Sequence, residues 1–304
     1  MKKTTIALLT AAAMGTSGAV MAANHGPEVS GRINLDIRNV EGNSTEFTRG
    51  NPDRVIFSGS GDLAHGLTGS YLLRFQSDNE GEFSTNKAFY TVSGDFGEVQ
   101  FGRDGDDIVY RFVGVRTDLP WANLGGVADA AATGDTTNSD DVSLQYHMTV
   151  DALSFGAYVD TSDGEFDEDD FERTGDGFNT YQLGVQGDFG MVSAGVVYSD
   201  SDFDGRESEL AFGVTLDLDV ATIGATVRDD SKDNTPVSVA GFVPLQNGLG
   251  AYASYGDDDD GFDNFLLGVS ADLGGGLVTY VEYQDKLDED NDSSGFVLGA
   301  NYSF

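Results

Sequence analysis

The chain has 304 residues, with 52 acidic against 16 basic side chains, a formal net charge of −36, no cysteine, 41 glycines, 20 phenylalanines and 12 tyrosines. Repulsion from phosphate excludes nucleic acid as a partner, and the lack of cysteine excludes a disulfide framework or a thiolate site. So many aromatic residues exclude an acidic disordered chain and fit tightly packed, twisting strands with aromatic belts.

The first element in chain order reads as a secretory signal peptide over residues 1–22. Met1-Lys2-Lys3 is its basic region, residues 6–20 are apolar or small, and Val20-Met21-Ala22 is a small-residue cleavage pattern. Loss of Lys2 and Lys3 leaves 14 basic against 52 acidic residues, a net charge of −38 on a mature domain of residues 23–304. The leader is too short and too interrupted by Thr, Gly and Ser to cross a bilayer. No later window holds the roughly 18 to 20 apolar residues of a transmembrane helix. A membrane span of this chain must therefore be a β-barrel.

Alternating stretches bounded by Gly and Asp predict sixteen strands, near 29–38, 54–63, 67–77, 86–94, 97–103, 142–148, 152–160, 178–187, 191–199, 208–217, 220–228, 236–244, 248–256, 262–272, 276–284 and 294–304. Short turns alternate with long loops, as strands running up and down through a membrane require. The turns include Gly94-Asp-Phe-Gly97, its near copy Gly187-Asp-Phe-Gly190, Ala64-His-Gly66, Leu245-Gln-Asn247 and Leu273-Gly-Gly275. The eight long loops carry 38 of the 52 acidic residues, so the acidity belongs to one face. Such a face is read as a solvated surface that stays hydrated in strong salt; bridging of divalent cations to lipid phosphate is the alternative. The last strand puts Phe296, Leu298, Ala300, Tyr302 and Phe304 on one side and Val297, Gly299, Asn301 and Ser303 on the other. That comb belongs between lipid and an aqueous lumen. A replacement of Gly299 is accordingly expected to act through the lumen or local packing.

Several motifs carry no chemistry. Asp200-Ser-Asp-Phe-Asp-Gly205 copies the start of an EF-hand loop, but the twelfth position is Ala211 where a bidentate Glu is needed. Gly59-Ser-Gly61-Asp-Leu-Ala64 imitates a dinucleotide fingerprint without a helix to follow it. The three histidines, His25, His65 and His147, have no Ser partner at readable spacing, which argues against a barrel hydrolase. No cofactor and no metal site is expected.

One constellation remains. With Ile33, Leu35 and Ile37 facing lipid, Arg32 and Arg38 face the lumen, and the same parity turns Arg54, Arg74 and Lys87 inward on the next three strands. The alternative is local pairing of each with Asp36, Asp62 or a loop acid. The acidic counterpart is the 38-residue loop 104–141, with Asp104, Asp106, Asp107, Asp118, Pro120 and the only tryptophan, Trp121. Folded inward, a loop of that length would narrow an otherwise open sixteen-stranded barrel.

The leader, the opening Val29-Ser-Gly-Arg-Ile-Asn-Leu, Arg54-Val-Ile-Phe-Ser-Gly-Ser-Gly-Asp-Leu with Gly66-Leu-Thr-Gly, Ala88-Phe-Tyr-Thr-Val-Ser-Gly-Asp-Phe-Gly-Glu-Val-Gln-Phe-Gly-Arg103 and the terminal Phe304 resemble the general trimeric porins of Gram-negative outer membranes. The resemblance covers essentially the whole mature chain. It implies an all-β, sixteen-stranded antiparallel barrel, a homotrimer, passive diffusion of ions and small hydrophilic solutes, and a third loop that constricts the pore. The constriction would then have Arg32, Arg54, Arg74 and Lys87 or Arg103 on its basic side and Asp106, Asp107 and Asp118 on its acidic side. Tyr302 and Phe304 would be the signal read by the outer-membrane assembly machinery, and outer-membrane lipids and lipopolysaccharide would surround the barrel. The chain departs from enteric relatives in its third loop, Arg116-Thr-Asp-Leu-Pro-Trp-Ala-Asn, and in its acidic loops, which suit a salt-rich habitat. Acids at the mouth and in the third loop outnumber the basic wall, so a mild preference for cations is expected. The competing readings are a substrate-specific channel, for example for an oligosaccharide, and an adhesive barrel without conductance.

Overall fold

Strands with one apolar and one polar face have backbone groups that only neighbouring strands can satisfy, and in lipid an open edge is not tolerated. The computed structural model describes residues 27–40, 45–48, 53–77, 83–103, 108–113, 142–161, 166–167, 172–173, 180–201, 208–229, 235–257, 262–288 and 293–304. Its sixteen barrel strands are β1 (Glu28–Val40), β2 (Arg54–Asp62), β3 (Thr68–Ser77), β4 (Phe83–Gly94), β5 (Gly97–Arg103), β6 (Val142–Val150), β7 (Leu153–Thr161), β8 (Thr180–Asp188), β9 (Val192–Ser201), β10 (Glu209–Leu218), β11 (Ala221–Asp229), β12 (Val237–Pro244), β13 (Leu249–Asp257), β14 (Phe262–Asp272), β15 (Leu277–Asp288) and β16 (Ser293–Ser303). Each pairs antiparallel with the next. The barrel closes because β1 is shared: its lower half pairs with β2 and its upper half with β16.

All sixteen expected strands are present, with longer ends than expected on β1, β4 and β15. Two of the predicted loops contain further pairing. Glu46–Thr48 lies against the upper part of β1, and Phe166–Asp167 pairs with Glu172–Arg173. The two Gly-Asp-Phe-Gly turns differ despite their likeness. Gly94 pairs directly with Gly97, whereas β8 runs on to Asp188 and the chain re-enters at Val192, with the Asp188 carboxylate accepting from the Gly190 N–H at 2.9 Å. In β4 the register slips where Arg74 meets Lys87 and Phe75 meets Thr85, leaving Asn86 as a bulge.

The faces alternate as the sequence requires. Ile33, Leu35, Phe296, Leu298 and Tyr302 stand out from the barrel, while Asn34, Asp36, Val297 and Gly299 are buried on the inner side. Exposed rings gather at two levels, Phe96, Phe189, Tyr302 and Phe304 toward the short turns and Tyr181, Tyr198, Phe212, Tyr255 and Phe265 toward the long loops. These are the two girdles of a membrane barrel, with aliphatic side chains between them. No helix among the described residues is long and apolar enough to cross a membrane.

Side chains reinforce the closure. Phe304 exchanges both backbone bonds with Gly31, at 3.0 and 3.1 Å, and its ring lies on that glycine, where a Cβ would sit 2.5 Å from it. On the inner side, Tyr280 of β15 lies across Gly299 of β16 and donates to Asp36 Oδ1 of β1 at 2.6 Å. Tyr252 of β13 likewise lies across Gly268 of β14 and donates to Glu282 Oε1 of β15 at 2.6 Å. In each row the tyrosine is opposite the glycine and the glycine opposite the acid, so one side chain straps three strands.

Candidate functional site

The lumen is asymmetric, and the asymmetry begins with four cations on adjacent strands. Arg32 of β1 and Arg54 of β2 are direct cross-strand partners. One inward step along β2, Ile56 is opposite Arg74 of β3, and Arg74 is opposite Lys87 of β4. Cross-strand partners share a face, so all four belong to the inner wall, and like charges set this close carry an electrostatic penalty that pure stability would not select. The wall is braced by polar contacts. Arg74 Nε donates to Asn86 Oδ1 at 2.5 Å, so the bulge residue orients the guanidinium. Asp53 Oδ1 accepts from the Asn34 N–H at 2.9 Å, and the Asp53 N–H donates to Ser77 Oγ at 3.0 Å, which fixes a loop carboxylate at the head of the wall. Of the local pairings considered, Arg38 takes Asp36, at 3.5 Å.

Arg103 does not join this wall. It stands opposite Ala88 and Val142, in the outward series with Phe101 and Leu144, because Gln100 and Gly102 already occupy the inward positions of β5. Asp106, Asp107 and Asp118, with Asp104, lie outside the described residues, as does the leader. Tyr302 and Phe304 lie on the outer side at the closing seam, their rings stacked with centroids 6.3 Å apart.

The second feature was not legible as an element: α1 (Ile108–Val113), which follows β5 and sits inside the barrel against β7–β10. Ile108, Val109, Phe112 and Val113 bury with Tyr158, Val197 and Ala211 of that wall. Polar groups hold both ends of the helix to β8. The Ile108 N–H donates to Gln182 Oε1 at 3.1 Å, and Gln186 Nε2 donates to the Phe112 carbonyl at 3.3 Å. Arg111 pairs with Glu98 of β5 at 3.6 Å. The His147 ring meets Phe112 edge to face at 6.1 Å, and its Nε2 lies 3.1 Å from Gln145 Oε1, so this histidine is part of the seat. The start of the third loop is thus inside the lumen, on an arc of the wall away from the β1–β4 cations.

Asp200, first in the EF-hand-like run, accepts from the Tyr181 and Tyr198 hydroxyls on the outer side. Among the described residues no group of three metal-ligating side chains is assembled.

A closed barrel with an apolar exterior, a polar charged lumen and an inward segment defines a membrane channel of the β-barrel class. The family model described as Gram-negative porin matches residues 9–304, and the chain belongs to that family. It is therefore an outer-membrane channel for passive diffusion. Among solved structures it is similar to a loop-deletion variant of OmpT, an outer membrane protein of Vibrio cholerae, with TM-score 0.70 and 17% identity over 92% of this chain and 99% of that one. It is also similar to a variant of the Rh. blastica porin, with TM-score 0.70 and 15% identity over 92% and 100%. In vitro folded OmpT in a trimer form gives TM-score 0.67 and 16% identity over 92% and 99%. A search of curated proteins finds no match.

Proposed function

We propose that the channel passes ions and small hydrophilic solutes without choosing one substrate, that its narrowest section lies between Arg32, Arg54, Arg74 and Lys87 and the third-loop acids Asp106, Asp107 and Asp118, and that it catalyses no reaction. The observation that carries this reading is the cluster of four inward cations beside a lumen into which α1 is folded. A transverse field of that kind orients dipolar solutes in a narrow pore. A substrate-specific channel would present a run of aromatic rings to its solute; among the described residues the inward tyrosines Tyr158, Tyr252 and Tyr280 are instead buried, with exposures of only 1 to 2%, and Phe89 and Phe242 are inward rings left partly exposed.

The trimer form of OmpT supports a homotrimer here, and the 1–22 leader supports export before assembly among outer-membrane lipids and lipopolysaccharide. Recording in planar bilayers tests the function: ohmic conductance with little dependence on solute identity is expected. Absence of conductance would sink the channel reading, and block at low concentration by one oligosaccharide would favour the specific alternative.

Phe304 is proposed as an assembly signal as well as a seam. Deleting it should lower the amount of heat-modifiable barrel in cells far more than it lowers the stability of barrels refolded in lipid. Normal surface levels in the deletion strain would refute the signal.

A further inference from the structure

Gly156, Gly184, Gly195 and Gly213 lie on the inner faces of β7, β8, β9 and β10, directly beneath α1. Gly156 is opposite Gly184, and Gly195 is opposite Gly213, so two glycine pairs form a stepped hollow. The Phe112 ring fills the first pair, where a Cβ would sit 2.8 Å from Cε2 at Gly156 and 2.7 Å from Cδ2 at Gly184. The helix backbone fills the second, where a Cβ would sit 2.3 Å from the Phe112 carbonyl oxygen at Gly195 and 2.2 Å from that of Val113 at Gly213. Glycine within a strand weakens it and marks the close approach of another backbone. Gln182 and Gln186 fix where α1 lies along β8, and the hollow lets the Phe112 ring and the helix backbone sink between the Tyr158, Val197 and Ala211 side chains of the wall.

We infer that this glycine hollow is the calibre-setting element of the pore: its depth decides how far α1 stands out into the lumen. The inference rests on the passive-channel reading. Non-bonded atoms settle near 3.5 Å, so one methyl group at Gly195 or Gly213 must push the helix about 1 Å toward the pore axis. A bulkier side chain must push it further.

The test compares folded, heat-modifiable Gly195→Ala, Gly213→Ala and Gly213→Val channels with the parent, and with Gly241→Ala as a control. Gly241 faces outward, and the nearest atoms to its Cβ position are at 3.8 and 3.9 Å. Unitary conductance in planar bilayers should fall in the order parent, alanine, valine, by about twofold for valine. In liposome-swelling assays, entry of disaccharides should fall more than that of monosaccharides. The control should match the parent. If those variants do not fold, Gly156→Ala, whose Cβ would meet side-chain atoms of α1, Phe112 Cε2 at 2.8 Å and Ile108 Cγ2 at 3.2 Å, should lift the helix less and still lower disaccharide entry. Parent conductance and parent disaccharide entry in the folded variants, or a rise in either, would overturn the inference while leaving a conducting parent intact. A silent parent would instead remove the channel reading.

Discussion

Replacing Arg32, Arg54 and Arg74 together by Gln should shift the reversal potential strongly toward cations, and the shift should persist from dilute to concentrated salt. The three guanidinium groups occupy neighbouring inward positions on β1, β2 and β3, so in the proposed constriction an ion meets them at contact distance. Screening acts over about 10 Å at 0.1 M salt and about 3 Å at 1 M, so charges at contact survive where distant ones do not. The acidic loops provide the contrast. Asp257 ends β13 at the long-loop side of the barrel, and neutralising residues 257–260 should alter selectivity mainly in dilute salt. Reversal potentials under a KCl gradient at two mean concentrations separate the effects. An unchanged value in the triple variant would mean that these side chains do not line the narrowest section. Lys87, opposite Arg74, would leave a residual positive charge, so adding Lys87→Gln should deepen the shift.

The barrel was legible in the sequence because lipid on one side and water on the other enforce a two-residue period over every strand, and glycine, aspartate and asparagine mark the returns. The inward placement of four basic residues was legible for the same reason. Parity within each strand suffices for Arg32, Arg54, Arg74 and Lys87, and the bulge at Asn86 does not disturb it because Lys87 and Thr91 lie on the same side of the slip. Arg103 shows the limit of neighbourhood as a guide: it adjoins the third loop in sequence yet stands in the outward series of β5. Helix α1 was hidden because Ile-Val-Tyr-Arg-Phe-Val is only six residues long and rich in residues that favour strands. Its helical form is supported by the hollow that receives it. The signal was available elsewhere, as glycine at inward parity on four consecutive strands. The straps across β13–β1 had a similar signal, a tyrosine directly opposite an inward glycine, which becomes readable only once the strand register is known.

The adjacent residues Leu298 and Gly299 should both be intolerant of change, but for reasons that a single coupled measurement separates. Leu298 stands out from the barrel with 53% exposure on the lipid side of β16. Leu298→Arg should destabilise the barrel by roughly 2 to 4 kcal/mol if its site is near the midplane. Gly299 faces the other way, beneath Tyr280, and a Cβ there would lie 2.2 Å from Tyr280 Cζ and 2.4 Å from Asp36 Oδ1. Gly299→Ala should therefore lift the tyrosine ring, at about 1 to 3 kcal/mol for overpacking, and take from the Asp36 carboxylate the Tyr280 hydroxyl that holds it, leaving it to Arg38. With the ring removed in Tyr280→Ala, the ring's share of the space is open and the Asp36 carboxylate, released from the hydroxyl, can turn toward Arg38, so the added methyl group relieves the strand disadvantage of glycine. In that background Gly299→Ala should be neutral or slightly stabilising, while Leu298→Arg should keep its full effect. Refolding titrations in lipid vesicles on the two double-mutant cycles measure this directly. Additive behaviour of Gly299→Ala with Tyr280→Ala would show that the strap does not bear on the closing strands, and strong coupling of Leu298→Arg to Tyr280→Ala would contradict the assignment of the two faces.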